Sequence, residues 1–147
     1  IRQSDPSARV VADVGVVRGM RDVARLGGWA TAAMASPWVD VVSVHAYPSV
    51  RGRRNASAVL AAAAKALRTM DARDRPLWVT EVNVDGGSAM PAAQQAATVR
   101  EMTRAVGAAG FDRAYWYAWT ALGPANLIQL APGSPAARTL AEVVGPD

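Results

Sequence analysis

The sequence has no cysteine, one histidine, one lysine and one phenylalanine. Each shortage removes a class of explanation. Without cysteine there is neither a disulfide framework nor a thiolate metal site. With His45 alone, a multi-histidine metal centre is excluded, and no metal or cofactor is expected. No charge-free apolar run reaches the length of about 18 residues that a membrane-spanning helix needs, so no membrane partner is expected. The opening residues Ile1-Arg2-Gln3-Ser4-Asp5-Pro6 do not have the form of a signal peptide. They read as the tail of a helix entering a turn, as if the chain begins in mid-fold. Glycine fingerprints are missing as well. Neither Val14-Gly15-Val16 nor Gly86-Gly87 completes a dinucleotide-binding loop or a P-loop.

What remains is an ordinary folded composition, 51% apolar and 19% charged, with a mean hydropathy of +0.06. The 147 residues suit a single domain with a real core. They fall short of the roughly 250 residues of a full eight-fold (β/α) barrel. The net charge of +4 comes from arginine, and Arg51, Arg53 and Arg54 form the one tight basic cluster. The other arginines are scattered and no aromatic residue interleaves with the cluster. It reads as a solvated loop, with no nucleic-acid partner expected.

Along the chain, apolar strands alternate with amphipathic helices. Residues 8–17 are valine-rich and predict a buried strand interrupted only by Asp13; a helix over 19–35 follows, weakened by Gly27-Gly28. Residues 38–46 predict a second strand. Asn55 or Ser57 can cap a helix running to about residue 73, with Val59, Leu60, Ala63, Leu67 and Met70 on one face. A third strand spans 77–84, and Pro91 opens a helix that stops before Gly110. An aromatic strand over 111–120 follows, and Ser134-Pro135 starts a last helix. Four strand–helix units argue for one α/β domain over residues 1–147, built on a parallel sheet. Two architectures fit: an open doubly wound sheet, or consecutive units of a (β/α)8 barrel.

The third strand holds the residue of greatest interest. In Leu77-Trp78-Val79-Thr80-Glu81-Val82-Asn83 one carboxylate interrupts an apolar run. Burying it unpaired costs several kcal/mol. Glu81 is therefore either solvated at a strand end or a catalytic carboxylate at a barrel mouth. In a barrel, functional groups collect at the C-terminal ends of the strands. His45, Tyr47, Glu81, Asn83, Tyr117 and Trp119 all lie there. A carboxylate among hydrogen-bonding groups and flat aromatic side chains suits a sugar, whose C–H face stacks on an indole.

Residues 39–48 (Val-Asp-Val-Val-Ser-Val-His-Ala-Tyr-Pro), 77–83 and 115–119 (Tyr-Trp-Tyr-Ala-Trp) resemble the sixth, seventh and eighth strands of clan A glycoside hydrolases. Asp5-Pro6-Ser7-Ala8-Arg9-Val10-Val11 resembles the approach to the fifth. The resemblance implies a half barrel, strands five to eight of a TIM barrel with the N-terminal half absent. It implies a hydrolase of β-linked glycosides acting with retention, secreted or at a bacterial cell surface. Glu81 matches the nucleophile, and His45 and Tyr47 match the His-x-Tyr pair of the central subsite. Trp119 matches the tryptophan that stacks under the sugar. Asn83 and Tyr117 are further substrate-binding candidates.

The acid/base of this clan sits in an Asn-Glu pair at the end of the fourth strand, and no Asn-Glu occurs here. The other acidic residues look misplaced for that role, Asp85 lying past its strand, and Asp13 alone merits checking. Expected partners are the carbohydrate and either the missing half barrel or a second copy of the chain. The alternative is a non-catalytic, carbohydrate-binding or structural half-barrel fragment.

Overall fold

The computed structural model describes residues 3–49, 55–118 and 126–145. Its four strands are β1 (Val11–Val17), β2 (Val41–Ala46), β3 (Leu77–Val82) and β4 (Arg113–Trp116). All pair in parallel, in the order β1-β2-β3-β4. The α-helices among the described residues are α1 (Met20–Val23), α2 (Leu26–Ala35), α3 (Ala56–Met70), α4 (Ala92–Ala108) and α5 (Pro135–Val144). The fold is α/β with a wholly parallel four-stranded sheet. Strand order follows the sequence without the reversal that defines a doubly wound sheet, so that alternative falls.

Alternation along the strands decides which face the helices cover. Val42, Val44, Ala46, Leu77, Val79 and Val82 turn towards α2, α3 and α4 and are buried with Leu60, Leu67, Met102 and Val106. Each such Val, Leu or Met side chain contributes about 1.5–3 kcal/mol when fully buried. The opposite face bears Asp13, Ser43, His45, Trp78, Thr80, Arg113 and Tyr115. There Arg113 lies 5.1 Å over the Trp78 ring, whose centroid is 5.9 Å from that of Tyr115. Tyr115 is 45% exposed. This second face is bare of helices among the described residues.

Local differences from the sequence reading have physical causes. The helix expected over 19–35 breaks at Ala24-Arg25, just ahead of Gly27-Gly28. Glycine is a poor helix former, and α1 buries no side chain that could override the weakness. Pro91 stands just before α4 as its N-cap, in extended conformation, instead of within the first turn. Ser134 does begin the last helix, its Oγ accepting the Ala137 N–H at 3.1 Å.

Two irregularities of register matter most. Between β2 and β3, Val44 faces Val79 but His45 faces Glu81, and β3 carries the same extra residue against β4. Strict alternation would put Glu81 with Leu77 and Val79 on the helix face. The bulge turns both Thr80 and Glu81 to the bare face. A second bulge on β1 lies between Asp13 and Val16, where Gly15 has a φ of 130°, a conformation that L residues rarely adopt.

At the N-terminal ends of the strands, carboxylates hold the backbone. Asp40 Oδ2 accepts from Val10 N at 2.8 Å, and Asp112 Oδ2 accepts from Leu77 N at 2.8 Å. Asp71 accepts from the backbone N–H groups of Arg73 and Arg75. The Arg75 guanidinium, 3.7 Å from Asp71 Oδ1, also donates to Met34 O at 2.7 Å. No helix among the described residues is long and apolar enough to cross a membrane.

Candidate active site

Side chains from β2 and the residue just past it meet Glu81 on β3. Tyr47, one residue beyond β2, donates its hydroxyl to Glu81 Oε2 at 2.5 Å. His45 Nδ1 lies 3.2 Å from that same oxygen. Both contacts fall on Oε2, and Oε1 has no hydrogen-bond partner among the described residues. Glu81 thus has one oxygen anchored and, among the described residues, one without a partner. Its side chain is 32% exposed, so the carboxylate stands at the mouth of the sheet and not in the core.

Partial burial, the hydrogen bond to Glu81 and the nearby negative charge push the Tyr47 phenol well above its usual pKa. It therefore remains a donor throughout the neutral and mildly basic range. Beyond Tyr47 an open cleft of about 210 Å³ is lined by Arg18, Tyr47, Asp85, Asn126 and Leu127. Asp85 is held in that lining by the Asn126 amide.

The other nitrogen of His45, Nε2, lies 3.3 Å from Asp13 Oδ2. Asp13 is fixed in turn: its Oδ1 accepts Gly15 N–H at 3.0 Å and its Oδ2 accepts the Ser43 hydroxyl at 3.2 Å. Ser43 Oγ accepts from Thr80 Oγ1, also at 3.2 Å. One chain of contacts runs Thr80, Ser43, Asp13, His45, Glu81, Tyr47 across β1, β2 and β3.

The expected site residues separate into four groups. Glu81, His45 and Tyr47 meet. Tyr117 is 37% exposed beyond β4, and its N–H donates to Val82 O, which ties it to the end of β3. Asn83 takes a different position from the one the sequence reading gave it. It is fully buried, and its amide is spent on backbone: Nδ2 donates to the carbonyls of Tyr117 and Ile128, and Oδ1 accepts from Ile128 N at 3.1 Å. Asn83 fastens the returning chain beneath the cleft and presents nothing to a ligand. Trp119 and the Arg51, Arg53, Arg54 cluster lie outside the described residues.

The sequence reading passed over Arg18 and Asn126 and set Asp85 aside. Their one shared signal was position, since Arg18 and Asp85 lie just past the C-terminal ends of β1 and β3. Among the described residues no group of three or more His, Cys, Asp or Glu side chains is placed to hold a metal ion. No protein-family model, no curated protein and no solved structure matches this chain.

Proposed function

We propose that this chain is a glycoside hydrolase-like domain, similar to clan A enzymes, in which Glu81 is the nucleophile of a retaining reaction on β-linked glycosides. The observation that carries the reading is the state of the Glu81 carboxylate. Oε2 is held by Tyr47 and faced by His45, which leaves Oε1 to attack an anomeric carbon. In the first step Oε1 forms an ester bond to that carbon as the glycosidic C–O bond breaks. The leaving oxygen takes a proton from a second carboxyl. In the return step that group deprotonates a water, which displaces Glu81 and restores the β configuration. Tyr47 donates to the carboxylate throughout, which orients it.

The half-barrel reading is part of the proposal. It draws support from sequential parallel strands with helices on one face and a polar, aromatic opposite face whose active groups sit at the C-terminal ends. The second carboxyl then comes from further (β/α) units that complete the barrel. Asp13 is unsuited to the part, because the His45 ring stands between it and Glu81, where the glycosidic bond would have to lie.

A trap that needs no acid catalyst tests Glu81 directly. A 2-deoxy-2-fluoro-β-glycoside with a dinitrophenolate leaving group departs unprotonated, and its fluorine slows release of the ester. Offered as a panel of glucoside, mannoside, xyloside and galactoside, at least one should leave a covalent mass on Glu81. Labelling should vanish in Glu81→Gln. Labelling of another residue, or binding of all four sugars without an adduct, would overturn the nucleophile and favour the carbohydrate-binding alternative.

A further inference from the structure

We infer that Asp13 is a positioning residue for Glu81, acting through His45. The inference rests on the reading of Glu81 as the reacting carboxylate. Three observations carry it. Asp13 occupies the far edge of the only histidine in the chain, 3.3 Å from Nε2, while Glu81 occupies the near edge, 3.2 Å from Nδ1. Asp13 is not a loose surface group, although its side chain is 38% exposed. The Gly15 N–H and the Ser43 hydroxyl fix both its oxygens, and Ser43 is fully buried and steadied by Thr80. The β1 bulge that aims Asp13 and the β3 bulge that aims Glu81 face each other across β2, so backbone irregularities on both sides serve one ring.

The chemistry follows from donors and acceptors. A carboxylate only accepts, so each edge of the imidazole makes a hydrogen bond when the facing nitrogen carries a proton. Asp13 thereby orients the ring and keeps Nδ1 directed at Glu81 Oε2. Without it, the imidazole is free to rotate about its bond to the chain, which carries Nδ1 away from Oε2 and removes one of the two side chains that face that oxygen. Among the described residues, the charged and titratable groups about the ring are Asp13 from β1 and Glu81 from β3. Next in line stand Tyr47 and the Arg18 and Tyr117 side chains that act on it.

The test uses the whole chain and two readouts. Because His45 is the single histidine, its ring N–H signals in a proton–nitrogen NMR spectrum need no assignment. In the wild type the Nε2 proton should exchange slowly with water; in Asp13→Asn it should exchange fast. Asn keeps an oxygen for the Gly15 N–H, so the bulge is retained. The second readout is the trapping rate at Glu81. It should fall by up to about 10²-fold in Asp13→Asn, the scale of a small misplacement of a reacting group. The sugar concentration giving half-maximal trapping should stay unchanged. Should Asp13→Asn fail to fold, Ser43→Ala, which removes only the hydroxyl steadying Asp13, carries the same two measurements. An unchanged ring spectrum with unchanged trapping overturns the role of Asp13 and leaves Glu81 intact. An altered ring spectrum in a protein whose wild type is never labelled supports the Asp13–His45 contact and overturns the Glu81 reading instead.

Discussion

At the N-terminal ends of the strands, Asp40, Asp71 and Asp112 give their oxygens to backbone N–H groups. At the C-terminal ends, Glu81 accepts one side-chain hydrogen bond, from Tyr47, with His45 facing the same oxygen, and its other oxygen has no partner among the described residues. The same chemical group does two jobs at the two ends of one sheet. Below, carboxylates replace backbone partners that short parallel strands cannot supply, and Asp40, Asp71 and Asp112 are tied to the fold. Above, Asp13 and Glu81 face each other across one imidazole, and in the proposed reading that end carries the chemistry. This division matches the physics of parallel (β/α) units, in which one end carries stability and the other chemistry.

The comparison breaks most sharply at Arg75. Both it and Asp71 are buried, so Arg75→Ala leaves an uncompensated carboxylate and removes the donor to Met34 O. The expected cost is about 3–5 kcal/mol in denaturant unfolding. Glu81→Gln, at the partly exposed upper end, should stay within about 1 kcal/mol of wild type while abolishing the trapping reaction. Equal losses at the two ends would erase the distinction.

Gly87, past the C-terminal end of β3, tests how the scaffold at the upper end supports the cleft. A Cβ there would lie 2.5 Å from Ile128 Cγ1, and Asn83 holds both the N–H and the carbonyl of Ile128. The neighbour has little room to give, so Gly87→Ala should cost about 1–3 kcal/mol, read by thermal or denaturant unfolding. It should also weaken sugar binding, because Leu127 lines the cleft. A neutral outcome would mean that the 126–128 segment is free to shift and that Asn83 does not fix it.

These two residues also mark what was legible in the sequence. The alternation of valine-rich strands and amphipathic helices was enough for an α/β sheet, and the convergence of His45, Tyr47 and Glu81 followed from their shared position at strand ends. The bulges were not legible. Period-two counting from Leu77 and Val79 points Glu81 at the helices, and only the register shift at Thr80 corrects it. Asn83 reads as a polar strand-end residue like any other. Its burial depends on where residues 117 and 128 return, a long-range contact with no local signal. Arg75 looks like one more exposed arginine before a proline, because its partner Asp71 gains meaning only once α3 has ended and the chain has turned.

The finest distinction between the two ends lies in pH dependence at Tyr47. Its phenol is raised above its usual pKa of 10.0, first by burial and then by the hydrogen bond and charge of Glu81. At neutral pH both folded and unfolded states hold the proton, and the bond to Glu81 contributes about 1 kcal/mol. Above about pH 10 the unfolded chain releases a proton that the folded chain keeps, so stability falls as pH rises. Tyr47→Phe lacks both the bond and this term. Denaturant unfolding of the two proteins from pH 8 to 11 should show a wild-type advantage that is complete below about pH 10 and shrinks above it. Groups common to both proteins cancel in the difference. An advantage that holds constant or grows through that range would mean that the phenol does not keep its proton on Glu81, and the anchored-oxygen geometry would fall with it.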